Sequence, residues 1–210
     1  MVRRFLLSLI SALCLSAACP AMASRHIFAS CPAFESYNVF AAQTESSPAY
    51  QQGTLEGLTF SNPWADYRIT FPSGTYFNPA SLVDYMSSYT GMDYEFAASL
   101  YGDMNLYPCI NITFQDALIP LKDCTQNLLD IYMEKDYSCQ VKTGVWLGSH
   151  PFTYVRADST ESDIYVENYL RIEGEKLIWF CIKCQKDDMA AQDTVKQVIS
   201  SVTAYNQSAS

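Results

Sequence analysis

A chain of 210 residues that is 49% hydrophobic and 17% charged is long enough to bury a substantial core, and fits a single domain. Its 22 acidic residues against 13 basic ones give a net charge of −9 at pH 7. That excess argues against nucleic acid or an anionic membrane surface as partner, and leaves a basic partner open.

The first residues carry export chemistry. Arg3 and Arg4 precede an apolar run from Phe5 to Ala18, and Ala21-Met22-Ala23 supplies the small residues that a signal peptidase needs. The run has 14 residues, short of the roughly 20 that cross a bilayer as a helix. The pattern predicts a signal peptide over 1–23 and a secreted or extracytoplasmic protein, in the periplasm or at the cell surface. No transmembrane helix is expected in the mature chain. Leu15-Ser16-Ala17-Ala18-Cys19 offers an alternative, a lipoprotein anchored at Cys19. Ser16 stands there where such boxes usually place a bulky aliphatic residue. The arginine pair also lacks the spacer of a twin-arginine signal.

Residues 24–52 mix Ala, Ser, Gln and Pro without a period and read as an N-terminal arm or linker. The domain is expected over 53–205, with a short C-terminal tail at 206–210. Leu55 to Phe60 and Tyr67 to Phe71 predict two strands, separated by Asn62-Pro63-Trp64. Asn78-Pro79 predicts a helix start with Asn78 as cap; Leu82, Val83, Met86 and Tyr89 form its apolar stripe, and Gly91 its stop. Tyr94 to Leu100 and Ile110 to Phe114 alternate as strands. Pro120 opens a second helix, with Leu121, Cys124, Leu128 and Ile131 on one side. Four strands are expected next, over 140–147, 151–156, 163–172 and 176–184, with a hairpin at Glu173-Gly174-Glu175. A last helix starts near Asp187-Asp188 and buries Ala191, Val195, Val198 and Val202.

Short connections between strands predict a mostly antiparallel sheet with helices on its faces, an α+β layered domain. The succession Gly57 to Phe60, Tyr67 to Pro72, a central helix, Tyr165 to Leu170, Gly174, Leu177 to Phe180 and a last helix with Ile199-Ser200-Ser201-Val202 resembles the PsbP-like proteins. The resemblance covers residues 55–204. It implies an α/β/α sandwich and a non-catalytic binding or assembly role, and transfers no functional residue.

Chemistry is harder to find. Two of the eight cysteines, Cys14 and Cys19, lie in the leader. The other six, Cys31, Cys109, Cys124, Cys139, Cys181 and Cys184, read as disulfide candidates in an exported chain, with connectivity left open. Cys181 and Cys184 form a C-x-x-C inside a dense β-type run. Residues three apart on a strand face opposite ways with Cα atoms about 10 Å apart, whereas a disulfide wants about 5.5–6 Å. On that reading the two cannot pair with each other. Zinc would need a second close pair of ligands, and none is present in the sequence. Ser149-His150 sits in a turn without the strained elbow of a Ser-His-acid triad, and His26 lies in the arm. Asp158-Ser159-Thr160-Glu161-Ser162-Asp163 lacks the glycine and spacing of an EF-hand, and reads as a solvated loop. The sequons at Asn111 and Asn206 matter only in a eukaryotic host. Fifteen tyrosines suggest half-buried packing or an aromatic patch for a partner.

No catalytic, cofactor or metal residue is therefore expected. The leading expectation is an exported non-catalytic binding or assembly protein with a protein or glycan partner. The alternative is an extracytoplasmic enzyme, either a thiol oxidoreductase using Cys181 and Cys184 or a hydrolase without a recognisable motif.

Overall fold

A computed structural model describes residues 50–101 and 107–206. The expected signal peptide, Cys19, His26, Cys31 and most of the expected arm and tail lie outside the described residues. Three short strands, β1 (Thr54–Glu56), β2 (Thr59–Asn62) and β3 (Tyr67–Thr70), form a small antiparallel sheet. A seven-stranded sheet follows, built from β4 (Tyr76–Phe77), β5 (Tyr94–Ser99), β6 (Cys109–Asp116), β7 (Tyr137–Leu147), β8 (His150–Ser159), β9 (Ile164–Glu173) and β10 (Lys176–Gln185). Its spatial order is β4-β5-β6-β10-β9-β8-β7, every pair antiparallel. The helices are α1 (Ala80–Thr90), α2 (Leu121–Met133) and α3 (Met189–Ser200).

Period-two alternation divides the large sheet into two apolar faces. On β10, Ile178, Phe180, Ile182 and Cys184 join one core, with Phe60, Ile69 and Phe71 of the small sheet and Ala191, Val195 and Val198 of α3. Leu177 and Trp179 face the other way, into a core closed by Val83 and Met86 of α1 and Leu128 and Tyr132 of α2. The result is the expected α+β sandwich, with an antiparallel sheet between two layers. β5 shows why that sheet is central: all six of its residues are buried, because both faces are covered. Each such large apolar side chain contributes roughly 1.5–3 kcal/mol by leaving water.

Several elements differ from the sequence reading. Leu55 to Phe60 is a hairpin rather than one strand: Gly57 turns the chain at φ +59°, which a side chain would resist, and β1 pairs back onto β2. β4 has only two residues, too few to show alternation. Asn78 does not cap α1. Pro79 occupies the cap position, its carbonyl accepts from Leu82 and Val83, and the Asn78 amide N–H donates to Ala97. At α3 the cap is Asp188, whose carboxylate accepts from the Ala191 N–H at 2.9 Å. β7 and β8 extend further than their apolar runs, because Tyr137 to Cys139 pair through the backbone with Ser159 to Ala157.

The disulfide framework expected of the cysteines is not found among the described ones. No bridge joins any two of Cys109, Cys124, Cys139, Cys181 and Cys184. Cys184 lies in the α3-side core, Cys124 on α2 lies in the other, and Cys109 on β6 stands near Cys181 on β10 without a bridge. Cys139 on the outer strand and Cys181 on β10 pack against that second core too.

Candidate functional site at the open edge of the large sheet

β7 forms one edge of the seven-stranded sheet. It spans 11 residues, and most of them are exposed or half-buried. One side of its backbone pairs with β8; among the described residues no strand pairs with the other. A β-bulge between Lys142 and Val145 alters the alternation of its side chains. Before it, Val141 stands opposite Val155 on the α2 face, and Lys142 opposite Tyr154 on the α3 face. After it, Val145 and Leu147 turn into the α3-side core. Trp146 is thereby sent to the same face as Val141. The two remain 67% and 43% exposed, the largest apolar surface on this edge.

The opposite face of the same edge carries an aromatic and ionic strip. Arg156 holds Asp158 with two hydrogen bonds of 3.0 Å, and its Nη1 lies 3.5 Å from Glu167. Its guanidinium lies 4.0 Å from the centre of the Tyr165 ring. The Tyr154 hydroxyl donates to one oxygen of Glu167 at 3.0 Å and the Tyr169 hydroxyl to the other at 3.2 Å. Burial and the Glu167 charge together push both phenols above the ordinary tyrosine range. Lys142 lies 5.9 Å over the Tyr154 ring. The two positive and two negative charges of the strip balance, and each acid is already held by a donor. Such a surface can bind; it presents no activated nucleophile.

The residues singled out in the sequence do not converge on a reactive centre. Cys181 and Cys184 sit on opposite faces of β10, as strand geometry requires. Tyr165 donates to the Cys184 sulfur, and burial pushes that thiol up. Burial likewise pushes Cys109 up to about 12, where a thiol is a poor nucleophile. Ser149, His150 and Asp66 do meet, but in the wrong order for a relay. The Ser149 hydroxyl donates to Asp66 Oδ2 at 2.8 Å, and His150 Nε2 lies 3.1 Å from that same oxygen. In a triad the serine would face the histidine, which would take its proton. Here Asp66 also accepts the Tyr205 N–H at 3.0 Å, so it ties the β2–β3 turn and the β7–β8 turn to the C-terminal segment.

The acidic loop is likewise occupied from within. The Lys186 ammonium donates to the carbonyls of Ser159 and Ser162, where a calcium ion would seek oxygen ligands. Among the described residues, no group of three or more His, Cys, Asp or Glu is placed to hold a metal. No helix among them is long and apolar enough to cross a membrane.

Two buried polar centres escaped the sequence reading. Asn168, fully buried beneath α2, accepts from Trp179 Nε1 at 2.9 Å and from the Tyr132 hydroxyl at 3.3 Å, and donates to the Val155 carbonyl. Glu95, at a bulge in β5, accepts from the Gly53 N–H at 2.6 Å, Asn62 Nδ2 at 2.5 Å and the Tyr67 hydroxyl at 3.3 Å. Both lie in strands whose apolar pattern gives no sign of a polar partner across the sheet.

No family model matches the chain, and no curated protein matches it. Among solved structures, one from Bacteroides thetaiotaomicron VPI-5482 is 14% identical with a TM-score of 0.40; the match covers 73% of this chain and 50% of that one. The chain thus spans about half that protein's length. The solution structure of cyanobacterial PsbP (CyanoP) from Synechocystis sp. PCC 6803 is 9% identical with a TM-score of 0.44, covering 80% of this chain and 99% of that one.

Proposed function

We propose that this chain is an exported, non-catalytic binding or assembly protein that engages an extended segment of a partner polypeptide along β7. The observation that carries the reading is the length and exposure of that edge, with Val141 and Trp146 on one face. An unpaired strand edge offers a row of backbone donors and acceptors that another extended chain can satisfy. Alternate side chains of such a segment would meet Val141 and Trp146 on one side and the Tyr154–Arg156–Glu167 strip on the other. The acidic balance favours a partner with basic character. The hydrophobic run and Ala21-x-Ala23 at the N-terminus support export.

Quantitative co-purification from the native host tests this. Tagged full-length protein should enrich at least one protein that a Val141→Lys, Trp146→Lys double variant loses about tenfold or more, as lysines on an edge strand oppose pairing. A Tyr85→Lys, Tyr89→Lys control on the exposed face of α1 should retain it. If the edge variant keeps every partner that the control keeps, the reading fails.

A further inference from the structure

Tyr50 to Gly53 are the residues through which the N-terminal segment joins the domain, and Glu95 holds them there. Their strap lies across the end of the large sheet, with the Tyr50 ring packed 5.4 Å from Trp64 and 5.1 Å from Phe114. The β5 bulge between Tyr94 and Phe96 turns Glu95 inward, leaving it 6% exposed. Its carboxylate gathers donors from three separate places: Tyr50 and Gly53 in the strap, Asn62 in β2, and Tyr67 in β3. Asn62 doubles the link by donating to the Gln51 carbonyl at 3.2 Å. Around Gly53 there is no slack: a Cβ there would lie 2.6 Å from Phe60 and 2.7 Å from the Ser61 carbonyl.

What is missing around Glu95 is positive charge. None of the ion pairs among the described residues includes it. The other titratable groups facing the cluster do not neutralise it. Asp93 adds negative charge beside Tyr50, Arg171 acts on Tyr67, and Lys176 lies 5.5 Å over the outer ring of Tyr50. A buried carboxylate with neutral donors alone is costly when ionised.

We propose that Glu95 is a proton-operated clamp on the strap Tyr50–Gly53, holding it to the sheet when protonated and loosening it when ionised. Burial pushes the carboxyl up to about 7, against the hydrogen bonds from Gly53, Asn62, Tyr67 and Tyr50 that favour the anion. Opening the strap would hydrate the carboxyl and return it toward 4.5. Because the clamped form binds the proton more tightly, acid favours clamping, and rising pH through neutrality favours release. The device therefore couples the docking of Tyr50–Gly53 to pH near neutrality.

Hydrogen exchange of the full-length protein tests it, read at the Gly53 amide and corrected for the intrinsic pH dependence of exchange. Protection should fall about tenfold or more between pH 5.5 and 8.5, while amides in the centre of β9 and β10 stay level. In Glu95→Gln the Gly53 amide should show no such slope. A flat wild-type profile, or a slope that persists in the variant, overturns the proposal. Should the variant fail to fold, carbon-13 titration of the Glu95 carboxyl in the wild type decides: a midpoint near 7 supports the clamp, and one below 5 refutes it.

Discussion

Asp66 and Glu95 show how environment gives two carboxylates opposite tasks. Burial works to raise Asp66, but the Ser149 hydroxyl, His150 and the Tyr205 N–H outweigh it and hold the acid below its ordinary range. Glu95 has one donor more but is far more deeply buried, so the cost of its charge prevails. Asn168 solves the same burial problem without charge, by placing one amide between a Trp N–H, a Tyr hydroxyl and a backbone carbonyl. Removing it takes this acceptor from the buried Trp179 N–H. Asn168→Ala should therefore cost about 1–3 kcal/mol, the cost of one buried polar group left unpaired. Urea unfolding measures the difference. Ser149→Ala, at an exposed turn, should cost less than about 1 kcal/mol by the same method.

At the scale of elements, the bulge in β7 decides which side chains are core and which are presented. It lets Val145 and Leu147 enter the α3-side core while Trp146 joins Val141 outside. Deleting Thr143 would restore plain alternation and rotate the strand end by one face. Either Val145 and Leu147 leave the core, or the β7–β8 turn is rebuilt; the loss should be about 3–6 kcal/mol, from two apolar side chains at roughly 1.5–3 kcal/mol each. Thermal and urea unfolding of the deletion variant check this.

The strands, helices and their mostly antiparallel pairing were legible from alternation, turn residues and Pro-led helix starts. The bulges were not, because a bulge at Thr143-Gly144 or Glu95 is defined against the partner strand and leaves no local signature. For the same reason the Arg156–Glu167 pair and the Asn168 centre were invisible: each joins residues 11 apart or more, across strands or from α2 to β9. The C-x-x-C spacing was the reverse case, a loud motif that strand parity divides between two cores.

For the whole molecule, the two faces of the large sheet are unequally covered. α1 and α2 lie on one face; α3 and the small sheet lie on the other, toward β10, β6 and β5. The outer part of β7, β8 and β9 is left with its charged and aromatic strip half-open to solvent. An acidic protein built this way has a well-formed core, a long free edge and no convergent reactive group among its described residues. Binding along that edge is the function we propose for it.

Site-specific photo-crosslinking in the native host addresses the claim most directly. A photoreactive residue at Trp146, in otherwise intact full-length protein, should give one discrete adduct with a second polypeptide. The same residue at Met189, equally exposed at the start of α3, should not give it. An adduct mapped to an extended segment of the partner is the predicted result. Adducts of equal yield from both positions, or none from Trp146, would contradict the account.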